Sequence, residues 1–365
     1  MVSVIIPSYD SKEYIESCLN GIINQTFKNL EIICIDDGST DGSLQILQQY
    51  AQTDCRIKIL RQENKGAAAA RNLGLKAAQG KYVIFLDSDD LFEPGLIEYT
   101  ASKAKAVEAD MVIFKADAFD NVTGQISPLN DKISSFKAYQ HKTFCCKDLP
   151  ADIFNSFLIA PWNKLYSKSF LDRHGFTFQN IKRTNDLLFT SQTLAAAGRI
   201  ILLEEVLLHY RVGLTKNLQS GNSETPLDFY KALLALKKYL EETGRYNLLQ
   251  KSYTKMALEV VFYNLNSVKT ETAFKKLKEF MQSEGFKALG ITECKKLYTL
   301  SFLGYLQYRC IKMGGIFSSP QILGILYKAF KVQQYLQTAG LQGLVKKVKQ
   351  NLLKNKRRNS KCKLQ

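Results

Sequence analysis

Short, uninterrupted apolar runs alternate with helical patterns through the first 116 residues, and this alternation limits the fold more than any other feature. The runs are Val2–Pro7, Leu30–Ile35, Ile57–Leu60, Tyr82–Leu86 and Met111–Phe114. A strand apolar at every position is covered on both faces, the condition of a parallel sheet flanked by helices. Between the runs, Ile15, Cys18, Leu19, Ile22 and Ile23 form one apolar helix face. Asp10 and Glu13 have the spacing of a capping box before it. Ser39-Thr40-Asp41-Gly42 opens a second helix, with Ser39 as its cap. An alanine-rich helix follows Gly66, and Pro94 marks the first turn of a fourth.

Ligands of such sheets bind outside the carboxyl ends of the strands. Those ends carry the polar clusters Pro7-Ser8-Tyr9-Asp10, Asp36-Asp37-Gly38-Ser39 and Asp87-Ser88-Asp89-Asp90. The last is the most demanding. Three carboxylates within four positions repel one another and raise each other's pKa. Turn residues at a strand end would account for them without function; a divalent cation would offset their repulsion.

Beyond residue 116 the pattern loosens. Asn121–Asn130 reads as a turn-rich excursion, Trp162–Leu171 and Leu187–Ala197 as further elements, and Leu202–Val212 as a strand pair. Thr215–Pro226 is polar and marks a boundary, after which Leu227–Glu242, Tyr246–Val268 and Ala273–Glu284 are helical. The expected organisation is a catalytic domain over 1–220, divided into a nucleotide-binding half (1–116) and an acceptor half (117–220). A helical region (221–345) and a basic tail (346–365) follow.

The formal charge of +16 is unevenly distributed. The stretch from Cys294 to Gln365 has 15 Lys and Arg and no Asp or Glu, so the rest of the chain carries only +1. A basic tail implies an anionic partner, and apolar runs interleaved with lysines favour a membrane surface. No nucleic-acid recognition motif accompanies the charge. No apolar stretch reaches the roughly 18 residues of a spanning helix, and the start lacks the basic region of a signal peptide. The eight cysteines form no CxxC pair and read as reduced thiols. The expected location is the cytoplasm, peripheral on the inner face of the cytoplasmic membrane.

Several segments, in order, resemble the family 2 glycosyltransferases. They are VSVIIPSYDSKEYIESCLNGIINQTFKNLEIICIDDGSTDGS (Val2–Ser43), NKGAAAARNLGLKAAQGKYVIFLDSDD (Asn64–Asp90), APWNKLYSKSFL (Ala160–Leu171), TNDLLF (Thr184–Phe189) and LHYRV (Leu208–Val212). The resemblance covers residues 1 to about 215. It implies an α/β fold of the GT-A type: a Rossmann-like, mostly parallel sheet flanked by helices, here with a C-terminal α-helical appendage. It also implies transfer of a sugar, with inversion, from a nucleotide diphosphate sugar to an acceptor hydroxyl. UDP is the favoured nucleotide, and the acceptor a lipid-linked or cell-surface glycan. The family's processive synthases carry membrane spans and a Gln-x-x-Arg-Trp motif, which this sequence lacks.

The same resemblance assigns residues. Asp89 is a direct ligand of Mn²⁺ or Mg²⁺, and Asp87 is shared between metal and ribose; hard oxygen ligands suit both ions. Asp90 is a supporting or helix-capping residue. Asp36 and Asp37, with Pro7 and Tyr9, form the base pocket: carboxylates accept from base N–H groups and Tyr9 offers a stacking face. Gly66 lets backbone approach a ligand at a helix start, and Arg71 reaches ribose or phosphate. Asp186 is the general base. Asn185 replaces the family's usual glutamate, on the acceptor side. Trp162 suits either a sugar face or the core. Arg211 is a diphosphate partner. His209 is either a third metal ligand or a satisfied strand histidine. Lys164 reads as loop anchoring.

Two other functions compete. A nucleotidyltransferase shares the sheet and metal logic but wants a glycine-rich basic loop after the first strand, where Ser8-Tyr9-Asp10-Ser11 stands. A non-catalytic nucleotide-sugar or glycan-binding protein would be marked by loss of Asp89 or Asp186, and both are present.

Overall fold

The computed structural model describes residues 1–129, 142–214, 225–268, 270–291 and 302–313, with Ile133, Tyr139 and short stretches between 322 and 332. The basic run 346–365 and most of the lysine-rich segment before it lie outside the described residues.

Strands β1 (Val2–Ser8), β2 (Leu30–Asp36), β3 (Ile57–Arg61) and β4 (Tyr82–Phe85) are joined through helices α1 (Ile15–Ile23), α2 (Ser43–Thr53) and α3 (Ala67–Ala77). They pair in parallel, with β1 between β2 and β4. The chain steps from β1 to β2 and β3 on one side, then returns to place β4 on the other. That reversal opens a crevice at the carboxyl ends of β1 and β4. The apolar runs are buried as their sequence requires: Val4, Ile5, Ile6, Ile32, Ile33, Val83 and Ile84 have no more than 1% of their surface exposed. Helix α3 lies close on the sheet because Gly74 has no side chain; a Cβ there would sit 2.5 Å from Ile5 Cγ2.

The second half makes the sheet mixed. β5 (Leu91–Phe92) is followed by α4 (Leu96–Val107), then β6 (Met111–Asp120), β7 (Ile126–Pro128), β8 (Lys164–Ser167), α5 (Lys168–His174), α6 (Asn185–Ala196) and β9 (Ile200–Val212). The order across the sheet is β3-β2-β1-β4-β8-β6-β9-β5, with β7 attached to β6. The fifth apolar run is therefore not a neighbour of the fourth. β8 inserts antiparallel to both. The expected strand pair over Leu202–Val212 is one strand, β9, parallel to β6, with register shifts on either side of Lys115. Those irregularities bend a long strand without ending it.

Two apolar layers cover the sheet. One packs α1, α2 and α4 on one face through Ile15, Leu47 and Leu96. The other packs α3 and α6 on the opposite face through Ala70, Leu187 and Phe189. Helices α7 (Asp228–Glu242), α8 (Tyr246–Ser267) and α9 (Glu271–Phe280) extend this second layer. Phe229, Leu236, Tyr253 and Phe274 belong to its continuous core. A π-helical turn, Met281–Gly285, and a helix, Phe302–Met313, follow. Among the described residues, no helix is long and apolar enough to cross a membrane.

Candidate active site

The three polar clusters meet above β1, β2 and β4, knitted together by side chains. Asp10 is drawn into a left-handed backbone (φ 44°). Its Oδ1 accepts from Thr40 N at 2.8 Å, and its own N–H donates to Ser39 Oγ at 3.1 Å. The expected capping box is therefore not used: α1 begins at Ile15, and its first backbone bonds go to Ser11 O. Ser39 does not cap α2 either. The N-cap position is Gly42, and Asp41, just before it, accepts from Ser43 N at 2.9 Å. In both cases a partner from the neighbouring strand end outcompetes the local bond.

The base-pocket residues divide. Tyr9 is half exposed, a free aromatic face. Asp36 is fully buried; Oδ1 accepts from Ser39 N, and Oδ2 pairs with Arg61 Nε at 3.3 Å. Asp37 is bonded to the β3–α3 loop. Its Oδ1 accepts from Gln62 Nε2 (2.7 Å) and Lys65 N (2.8 Å), and its Oδ2 from Gly66 N (2.8 Å). These bonds anchor the loop. An open depression of about 490 Å³ between the two loops is lined by Gly38, Arg61, Gln62, Glu63 and Asn64. Gly38 holds φ 79°, and a Cβ would meet Asn64 N at 3.0 Å; only glycine fits that turn at no cost.

The Asp87–Asp90 cluster carries the strain foreseen for it. Burial first, then the charge of Asp87, pushes the Asp89 carboxyl up to about 6. Asp90 is completely buried and pushed well above the usual range, again by desolvation and then by its two neighbours. Its Oδ1 accepts from Arg211 N at 3.0 Å, while Oδ2 has no hydrogen-bond partner. Asp90 thus ties β4 to β9. Among the described residues, no group of three or more His, Cys, Asp or Glu could hold a metal ion. Asp87 and Asp89 make a set of two, which suits a cation taking its remaining ligands from phosphate and water.

Asp87 is reached by Arg71. This guanidinium is 7% exposed and donates to Asp87 Oδ1 at 2.6 Å and to Asn185 Oδ1 at 3.3 Å. It also lies over the Phe178 ring, 5.4 Å from the centroid. Arg71 thus bridges β4 to the start of α6. Asn185 fits that bridge as a neutral acceptor. An aromatic cluster sets the distance. Phe85 of β4 meets Phe189 of α6 edge-on at 5.5 Å, and Phe178 stacks on Phe189 at 4.1 Å. Two residues beyond Phe85 and three before Phe189 lie Asp87 and Asp186, so the packed rings bring the two carboxylates to one side of the cleft. Thr184, just before α6, takes φ 57°, a strained non-glycine conformation of the sort that clusters at functional sites. Burial raises the Asp186 carboxyl, and the positive charges of Arg71 and Lys164 oppose that rise.

His209 is held between two carboxylates. Nδ1 lies 2.6 Å from Asp117 Oδ1 and Nε2 lies 2.9 Å from Glu93 Oε1, so both ring nitrogens are engaged by carboxylates. The imidazole clamps β9, β6 and the β5 turn. Arg211 is likewise engaged, with Nε donating to Asp89 O at 2.6 Å and Nη1 to Asn121 Oδ1 at 2.7 Å. Its guanidinium stands over Tyr14 and Phe119 at 5.1 and 5.5 Å. It backs the aspartate cluster as a fixed positive charge. Trp162 is 8% exposed and stacks on Tyr210 at 5.4 Å with the planes 9° apart. Pro7 is part of β1, paired with Ile35.

Sequence reasoning did not single out Arg61, Phe178, Tyr210 or Asn121. Tyr210 had a signal, lying between two residues already marked. The others depend on contacts between elements far apart in sequence.

Fold and site together define an α/β enzyme with an acidic crevice at the carboxyl ends of β1, β2 and β4. Comparison with known proteins is specific. The family described as Glycosyl transferase family 2 matches residues 3–175. A Bacillus subtilis (strain 168) protein named as a glycosyltransferase, EpsH, is 32% identical over 264 residues, 69% of this chain and 75% of its own length. Residues 1–349 of S. aureus TarS, solved with UDP-GlcNAc, superpose with TM-score 0.63 at 22% identity, covering 92% of both chains. The Pyrobaculum calidifontis mannosyltransferase PcManGT, solved with GDP-Man and Mn²⁺, gives TM-score 0.50 at 16% identity, over 92% of this chain and 87% of its own. At those identities the two structures establish the fold alone. The chain is a glycosyltransferase and belongs to glycosyl transferase family 2.

Proposed function

We propose that the protein is a non-processive, inverting glycosyltransferase that moves a sugar from a UDP-sugar to a hydroxyl of a lipid-linked or cell-surface glycan. The observation that carries this reading is the Arg71 bridge, which holds Asp87 and Asn185 in one cleft and so sets Asp186 beside the aspartate cluster. In the reaction, the Asp186 carboxylate takes the proton of the acceptor hydroxyl. The acceptor oxygen forms its bond to the anomeric carbon from one face. The bond from that carbon to the diphosphate oxygen breaks on the other, and the leaving nucleoside diphosphate takes the electron pair.

Asp89 and Asp87 fit a divalent cation, Mn²⁺ or Mg²⁺, on chemical grounds. Their oxygens are hard ligands, and their mutual repulsion is the excess a cation neutralises. When bound, the ion stabilises negative charge on the leaving diphosphate. Arg71 orients Asp87, and Arg211 adds fixed positive charge beneath Asp89. Tyr9, half exposed, offers a stacking face for the base, and Asp36 supports the turn beneath it through Ser39 N. Asn185 and Trp162 border the acceptor side. The UDP preference is supported by the TarS complex with UDP-GlcNAc, and the metal by the Mn²⁺ complex of PcManGT.

A thermal-shift screen tests donor and metal together. UDP-GlcNAc or another UDP-sugar with Mn²⁺ is expected to raise the melting temperature by several degrees, since a ligand at 100 times its Kd contributes about 2.7 kcal/mol. GDP-mannose and dTDP-glucose are expected to give less, and the UDP-sugar shift to shrink in EDTA. A larger shift with GDP-mannose would reassign the donor.

The membrane reading rests on the basic C-terminal stretch. Deleting residues 340–365 is expected to lower binding to vesicles containing 30% phosphatidylglycerol by at least tenfold, roughly 1 kcal/mol being contributed per basic residue near such a surface. UDP-sugar affinity should stay unchanged. Vesicle binding that survives the deletion counts against the membrane partner.

A further inference from the structure

Asp186 stands in the first turn of α6, a helix whose start is not held by its own cap. Thr184, the N-cap residue, has φ 57° and ψ 23°, and its side chain makes no capping bond. For a β-branched residue this left-handed backbone is an outlier, and such a conformation persists only where the surroundings over-determine it. Here both chain neighbours of Thr184 are held from outside. On one side, Asn185 Oδ1 accepts from Arg71 Nη1 at 3.3 Å. On the other, the Arg183 N–H donates to Asp228 Oδ2 at 3.2 Å. Further upstream, Asn72 grips the backbone of Phe178 at both polar groups. Its Nδ2 donates to Phe178 O and its Oδ1 accepts from Phe178 N, each at 2.8 Å. The segment leading to the base is thus pinned by side chains from α3 and α7.

Asp228 is the first residue of α7, 45 residues from Arg183 and beyond the residues 3–175 that match the family. An acid at a helix start has an ordinary use, facing the positive end of the helix dipole, and solvent exposure serves that use well. Asp228 is instead buried. Its Oδ1 lies 3.3 Å from Lys231 Nζ within α7, while Oδ2 leaves the helix for Arg183. A carboxylate makes a stronger bond to a backbone N–H than a neutral acceptor does. We propose that Asp228 is a positioning residue for Asp186: by holding the Arg183 N–H it keeps Thr184 left-handed, and so fixes the direction in which α6 leaves the loop. This rests on the reading of Asp186 as the base. Relaxation of Thr184 to right-handed backbone would swing the first turn of α6, and Asp186 stands two residues into it.

Two variants separate positioning from helix-dipole stabilisation. Asp228→Glu keeps the negative charge at the start of α7 but moves the oxygens by one methylene. Asp228→Asn drops the charge and keeps an oxygen in place for the Arg183 N–H. If the side chain served only the dipole, glutamate would be harmless and asparagine harmful; positioning gives the opposite order. By hydrogen exchange, the amides of 183–187 are expected to exchange at least tenfold faster in Asp228→Glu and within threefold of the native rate in Asp228→Asn. Those of 232–240, in α7, should be unchanged in both. If Asp228→Glu does not fold, Asp228→Ala, which leaves the Arg183 N–H without its acceptor, is read in the same way. Turnover is followed as UDP released from UDP-GlcNAc with Mn²⁺, with water as acceptor. In Asp228→Glu, kcat should fall at least tenfold with KM within twofold. Added to Asp186→Asn, the same change should cost less than a further twofold, because residues acting as a unit are not additive. Native exchange at 183–187 in both variants, the dipole order of the two, or a tenfold further loss in the double variant would each overturn the proposal. Full hydrolysis by Asp186→Asn alone would remove the base reading, and the exchange order would still decide whether Asp228 fixes the start of α6.

Discussion

Asp186→Asn is expected to lower transfer by about 10³-fold, within the 10²–10⁴ range of a lost general base. Binding of the UDP-sugar with Mn²⁺, by calorimetry, should stay within twofold. The reason is geometric. Asp186 lies in the first turn of α6, next to Asn185, and the Arg71 bridge itself uses Asn185 and Asp87. The amide keeps the shape but cannot take a proton. The pH profile gives an independent check. Burial raises the Asp186 carboxyl above the ordinary aspartate range, and the base must be ionised to act. Turnover should therefore fall as pH drops through that raised value, and the residual rate of the asparagine variant should lack this limb. Full activity in Asp186→Asn would remove Asp186 from the mechanism.

Asp89→Asn is expected to have two effects of opposite sign. Metal-dependent transfer should fall by at least 10²-fold, because one of two carboxylates is gone. The metal-free protein should become more stable at neutral pH. The sign follows from linkage. The folded carboxyl sits at about 6, above its unfolded value near 3.9, so the folded state binds the proton more tightly. Stability is fully present below the unfolded value and is lost as pH rises toward 6. At pH 7.5, in EDTA, the ionised group therefore costs on the order of 1–2 kcal/mol, allowing for its partial exposure. Removing the charge should raise the melting temperature by roughly 2–5 °C. The difference should narrow at pH 4.5, where the native residue is already protonated. A variant less stable than the native protein in EDTA at pH 7.5 would show that the cluster is not under charge strain.

The charge conflict at Asp89 was legible because repulsion is a local fact: three aspartates in four positions need something to offset them, whatever the fold. Asp186 was marked only through the resemblance of TNDLLF to a family motif, and its role as base is what the first prediction tests. The parallel half of the sheet was legible because a strand covered on both faces must be apolar at every position. β8 was not, because Lys164-Leu165-Tyr166-Ser167 has no such run, and its place between β4 and β6 follows from long-range pairing.

His209, Arg71, Arg211 and Asp37 are each the right chemical type to bind metal, phosphate or base, and each is also held by a protein partner. Glu93 and Asp117 engage His209 across β5 and β6. Asp87 and Asn185 engage Arg71 across 16 and 114 residues of chain. Residue type reports what a side chain can bind, and a folded chain offers it partners that no local pattern displays.

The sequence by itself therefore determined the doubly covered sheet, the acidic strand ends and the charge conflict in Phe85–Asp90. All three follow from burial and Coulomb repulsion between near neighbours. Which of the polar groups are held by protein partners is settled only in the folded chain. Satisfying a buried donor or acceptor takes a partner within about 3 Å, and here those partners come from elements far apart in the chain.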